Sequence, residues 1–109
     1  MISRGDILIA SERGVLTGKP RPVLVVQANA PARVHPTVTA CLISTRLTDR
    51  NLFRIAIQPT SNNGLIEPSE IQVDHLFSFS RSSFDRRIGC ASTADMKRVD
   101  EALRRWLSL

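Results

Sequence analysis

Five or six short apolar runs at even spacing, divided by turn-forming residues and followed by one stretch of helical period, predict a mainly β fold. The expected architecture is a small, strongly bent SH3-like barrel with a C-terminal α-helix. The 109 residues suffice for one modest core, so a single domain over residues 1–109 is expected, and a second copy would usefully bury more apolar surface.

Ile7, Leu8, Ile9 and Ala10 follow Gly5 and Asp6 as the first strand, and the polar stretch 11–19 is read as a surface loop. The second strand covers 21–27. Residues 28–36 carry two prolines and read as irregular, and 37–43 alternates as a third strand with Ser44 and Thr45 where it ends. In the fourth, 52–58, Phe53, Ile55 and Ile57 share one face, and turn-forming 59–64 follows. A strand over 70–77 and a short closing piece over 88–91 complete the sheet. Ser92, with Asp95 three residues on, then caps an amphipathic helix over 93–107, whose apolar stripe is Met96, Val99, Leu103, Trp106 and Leu107.

Composition narrows the partners. Fifteen Lys and Arg against ten Asp and Glu give a net charge of +5, with arginine far outnumbering lysine. Arginine pairs bidentately with phosphate and stacks on bases, so the bias points to a polyanion and nucleic acid fits it. No apolar run is long enough to span a bilayer and no signal segment follows Met1, so a cytoplasmic protein without membrane contact is expected. Cys41 and Cys90 stand alone in apolar segments, with no ligand spacing for a metal, and read as core residues. No cofactor is expected.

The most informative segment is 18–27, GKPRPVLVVQ. Pro20 and Pro22 fix φ on either side of Arg21 just before Val23, Leu24, Val25 and Val26 enter the core, so the guanidinium stands on a rigid strand entrance. That mount suits an anion. An ordinary solvated loop arginine is the competing reading.

These residues, with RGDILIA, HPTVTACLIST, LFRIAIQP, SEIQVDHLFSFSR and MKRVDEAL in order, resemble the MazF/PemK-type toxins over essentially the whole chain. The resemblance implies a MazF-type barrel, a homodimer, a cognate antitoxin protein as partner, and metal-independent cleavage of single-stranded mRNA to a 2′,3′-cyclic phosphate and a 5′-hydroxyl. Carried over residue by residue, the family's arginine falls on Arg21, its strand-end hydroxyl on Ser44 with Thr45 in reserve, and the acid of some members on Asp74. Where those members carry an arginine two residues before the acid, this chain has Gln72.

Metal-free RNA cleavage needs a base for the 2′-hydroxyl, charge stabilisation at the phosphorane and an acid for the 5′-oxygen. The resemblance assigns Arg21 as electrostatic stabiliser and candidate proton donor, Ser44 as hydrogen-bond donor to phosphate, and Asp74 as base, provided its surroundings raise its basicity. Thr45, Arg46, Arg50, Arg81 and Arg86 are the candidate RNA contacts. Histidine is the usual residue type for acid–base work, which makes His35 and His75 candidates, but strand alternation turns His75 away if Asp74 points into the site, so neither is placed there. Two other classes stay open: a non-catalytic gyrase poison resembling CcdB, and a barrel that binds RNA without turnover.

Overall fold

The computed structural model describes residues 1–12, 18–48 and 52–109. The centre of the loop expected over 11–19, and Arg50, lie outside the described residues. The elements are β1 (Asp6–Ala10), β2 (Arg21–Val25), α1 (Asn29–Val34), β3 (Thr37–Ser44), β4 (Arg54–Ile57), β5 (Ser69–Ser80), β6 (Phe84–Cys90) and α2 (Thr93–Leu107), with a 3-10 turn at Arg81–Ser83. The mainly β class with a terminal helix is the expected one.

Three elements depart most from expectation. The segment read as irregular contains α1, because Pro31 falls in its first turn, where no backbone donor is needed, and Pro36 lies just beyond its end. Strand β6 starts at Phe84 rather than 88, its polar Asp85, Arg86 and Arg87 having masked any period of two. Strand β5 extends to Ser80, well past residue 77.

Among the described residues the strands form one antiparallel sheet in the order β4-β5-β3-β2-β1-β6. What brings its two ends together is the turn after β4. The Cys90 N–H donates to the Asn62 carbonyl at 2.9 Å, so the turn rests on β6. Asn63 holds that turn from within: it is 3% exposed, accepts from the N–H groups of Thr60 and Leu65 at 3.0 Å each, and donates to the Gln58 carbonyl at 2.8 Å. Both its amide oxygen and its amide nitrogen are thereby engaged, as a buried amide requires.

The two faces of the sheet have separate cores. Ile7, Leu24, Cys41, Ile43, Ile55, Ile57, Ile71 and Val73 pack with Val99 and Ala102 of α2 on one face. Leu8, Ala10, Val23, Val25, Val38, Ala40 and Phe79 fill the other, with Phe77 and Phe84 against them. Cys41 is a fully buried core residue, its thiol pushed up to about 12 by burial. Helix α2 keeps its expected bounds, and the Asp95 N–H donates to the Ser92 hydroxyl at 3.0 Å as its N-cap. Of its expected stripe, Met96, Val99 and Leu103 pack in or against the core. Val99 and Ala102 are the buried positions, while Trp106, 45% exposed, stands edge-on to Phe53 with ring centroids 5.0 Å apart.

Candidate functional site

Strand register decides which side chains share a face. In antiparallel pairs, directly opposed residues point the same way, with Cβ atoms ~4.5–5.5 Å apart. Leu8 opposes Val23, Val23 opposes Leu42, Leu42 opposes Gln72, and Gln72 opposes Arg54, forming one row across five strands on the face away from α2. Two residues further along each strand lies a second row. Ala10 opposes Arg21, Ser44 opposes Glu70, and Glu70 opposes Ala56. Continuing the β2–β3 register from Val23 and Leu42 sets Arg21, the first residue of β2, against Ser44, the last of β3. The guanidinium mount and the hydroxyl therefore share one face and one end of the sheet.

Arg21 is exposed and Ser44 half-buried. The Arg46 backbone N–H donates to the Ser44 Oγ at 3.1 Å, closing a small turn at the strand end. This is the local bond that serine commonly makes. It occupies an acceptor position and leaves the hydroxyl hydrogen to be donated elsewhere. Glu70, only 3% exposed, sits beside Ser44 and accepts from the N–H and the hydroxyl of Thr48, both at 2.9 Å. Glu70 thus fixes the segment on which Thr45 and Arg46 are exposed.

Asp74 also lies on this face, but its carboxylate is committed. Arg54 Nε and Nη2 donate to its two oxygens at 2.7 and 2.9 Å, with side chains only 13% and 16% exposed. Burial pushes the carboxyl up, yet the hydrogen bonds and charge of Arg54 outweigh it and leave the Asp74 pKa below the ordinary value. The condition attached to Asp74 as base, a raised basicity, is not met. The same pairing raises the pKa of Arg54 and holds its guanidinium in the row of Gln72 and Leu42.

The flanking arginines divide. Arg46 is exposed, and Arg86 is exposed and paired only with the neighbouring Asp85 at 3.1 Å. Arg81, expected at phosphate, instead donates from Nε and Nη2 to the His35 carbonyl at 3.1 and 2.9 Å, and from Nη2 to the Ala32 carbonyl. These are the open carbonyls at the end of α1, so Arg81 is corrected to a helix C-terminal staple.

Alternation misplaced His75. Register along β3 and β5 jumps from Leu42 opposite Gln72 to Cys41 opposite Leu76, so residues 73–75 have no partner on β3. Such a bulge re-aims side chains. His75 Nδ1 lies 2.7 Å from Gln72 Oε1, on the face of Asp74 rather than away from it. Nothing in SEIQVDHLF marks the bulge, since it contains neither glycine nor proline.

A bent antiparallel sheet with one terminal helix, bearing an arginine and a hydroxyl at the adjoining ends of β2 and β3, defines a class of small basic β proteins. Within it, residues 3–107 match the family of PemK-like, MazF-like toxins of type II toxin-antitoxin systems, and the chain belongs to that family. It is 42% identical over 100 residues to the probable endoribonuclease MazF of Mycolicibacterium smegmatis, across 92% of this chain and 91% of that protein. Among solved structures it is similar to the Mycobacterium tuberculosis toxin MazF-mt6, at 23% identity and TM-score 0.81 over 95% of this chain and 97% of that one. A mycobacterial endoribonuclease in complex with its cognate antitoxin has the same fold, at 23% identity and TM-score 0.81 over 100% and 97% of the two chains.

Proposed function

We propose that this protein is the endoribonuclease toxin of a toxin-antitoxin pair, cutting single-stranded mRNA in the cytoplasm without a metal to leave a 2′,3′-cyclic phosphate and a 5′-hydroxyl. The observation that carries the reading is the placement of Arg21 and Ser44 at adjoining strand ends on one face. A phosphodiester seated between them receives two kinds of donor. The Arg21 guanidinium offers paired N–H groups and charge to the phosphorane oxygens, and the Ser44 hydroxyl donates to one of them. Arg54, held by Asp74, adds a second fixed cation in the next row, which makes Asp74 a positioning residue. Arg46 and Thr45, and Arg86 beside Asp85, are exposed at the surface where flanking phosphates and sugars would pass.

Support for an antitoxin partner comes from the likeness to the mycobacterial endoribonuclease solved with its own. A homodimer fits a short chain that leaves Trp106, Leu107 and Leu52 about half or more exposed. None of the helices among the described residues is long and apolar enough to cross a membrane.

The test incubates purified protein with a long RNA in EDTA, comparing wild type with Arg21→Ala and Ser44→Ala and mapping the 5′ ends. Cleavage by wild type at discrete positions, lost in Arg21→Ala, is the expected result. RNA retained on the protein but left intact would overturn the reading in favour of a binding module. Light scattering that gives only monomer mass at micromolar concentration would remove the dimer.

A further inference from the structure

Among the described residues, both carboxylates on this face are engaged, Asp74 with Arg54 and Glu70 with Thr48. The chain has two histidines. His35 lies just before β3, bonded to Thr37 at the opposite end of that strand from Ser44. His75 is exposed on the β5 bulge, on the face that carries Arg21 and Ser44.

Its orientation is set by chemistry. An amide oxygen only accepts, so the 2.7 Å bond from Gln72 Oε1 places the hydrogen on His75 Nδ1 and leaves the lone pair on Nε2. Gln72 is itself 8% exposed and opposes both Leu42 and Arg54, so the group that aims the ring is buried and fixed. Because Ser44 opposes Glu70, Gln72 is its diagonal neighbour across the β3–β5 pair, ~7–8 Å away. The 2.7 Å bond therefore ties the His75 ring to the residue one diagonal step from Ser44.

Resting on the nuclease reading above, we propose that His75 is the catalytic proton acceptor of this protein, Nε2 taking the 2′-hydroxyl proton, with Gln72 as its positioning residue. As the 2′-oxygen–phosphorus bond forms, the phosphorus–5′-oxygen bond breaks. His75 passes from neutral imidazole to imidazolium. The departing 5′-oxygen takes a proton from water, and the hydroxide so formed is neutralised when His75 returns its proton to solvent. No redox partner or metal enters the balance. The charged groups beside His75 are Asp74, its neighbour on β5, and Arg54 of β4, which Asp74 pairs. Beyond Leu76, where β5 meets α2, lie the Arg4–Asp100 ion pair and Arg104.

The experiment measures single-turnover cleavage of an end-labelled RNA oligonucleotide in EDTA from pH 5 to 9, for wild type, His75→Gln, His75→Ala, Gln72→Met and Arg21→Ala, each checked for fold by circular dichroism. The wild-type rate should rise with pH through one inflection and then level off. His75→Gln should fall by ~10²–10⁴-fold and lose that inflection, with RNA affinity kept within about threefold. Added imidazole should partly restore His75→Ala, and Gln72→Met should lose rate while keeping affinity. If His75→Gln keeps the wild-type rate and inflection while Arg21→Ala is dead, His75 is not the acceptor and the nuclease reading stands. If wild type cuts at no pH, the nuclease reading itself fails.

Discussion

Arg54 grips Asp74 through two parallel hydrogen bonds of 2.7 and 2.9 Å between β4 and β5, and this pairing fixes what each residue can do. The carboxylate is held ionised, and the guanidinium is held still in the row leading to Leu42 and Val23. Because the folded Asp74 pKa is lowered, its stabilising contribution is fully present above the ordinary carboxyl value of about 4 and is lost as pH falls through the folded value. Asp74→Asn should therefore lose about 1–3 kcal/mol at pH 7 by leaving Arg54 half-buried and unpaired. Urea midpoints compared across pH 2–7 check this, and the gap between wild type and variant should close at the acid end.

The turn that joins the two sheet ends depends on two glycines. A methyl group on Gly64, at φ +72°, would meet the Ile88 carbonyl oxygen at 2.1 Å, and one on Gly89 would meet the Asn62 carbonyl oxygen at 2.3 Å. Both obstacles are backbone, so relief requires the turn to lift from β6. Gly89→Ala should cost about 2–4 kcal/mol and Gly64→Ala at least as much, since a left-handed φ adds strain. Thermal melts should show both changes, and hydrogen exchange should show the Cys90 amide losing protection first.

Arg81 and Arg46 separate structural from surface cations. Removing the Arg81 guanidinium leaves the carbonyls of Ala32 and His35 without their donor, so Arg81→Ala should lower stability by about 1–3 kcal/mol and leave the salt dependence of RNA binding unchanged. Arg46→Ala should do the reverse, leaving the melting temperature alone and reducing the slope of log affinity against log salt by about 1. Fluorescence anisotropy with a labelled RNA over a salt series distinguishes them.

Much of this architecture was legible in the residues because apolar period and turn chemistry coincide. The run Val23 to Val25 could only be buried strand, and Ser92 with Asp95 marked the start of α2 to the residue. Arg21 and Ser44 were legible as strand ends, which is why their register follows from strand bounds alone. What stayed hidden lacks a one-dimensional signature. The bulge at residues 73–75 arises from a mismatch between β5 and β3, so simple alternation sent His75 to the wrong face. The partners of Asp74 and Arg81 sit 20 and 49 or 46 positions away, and no local pattern encodes a contact at that range. Polar β6 and proline-containing α1 took their form from neighbours, as tertiary context overrode propensity.

The claim on which the rest depends is that Arg21 and Ser44 act on one phosphodiester as a unit. The most direct measurement is a double-mutant cycle in single-turnover RNA cleavage, using Arg21→Ala, Ser44→Ala and the double variant. Each single change should reduce the rate by ~10²–10³-fold, and the double variant should be little slower than the worse single one, because residues serving one transition state are not additive. Losses that simply multiply in the double variant would place the two residues at independent tasks and contradict the shared site.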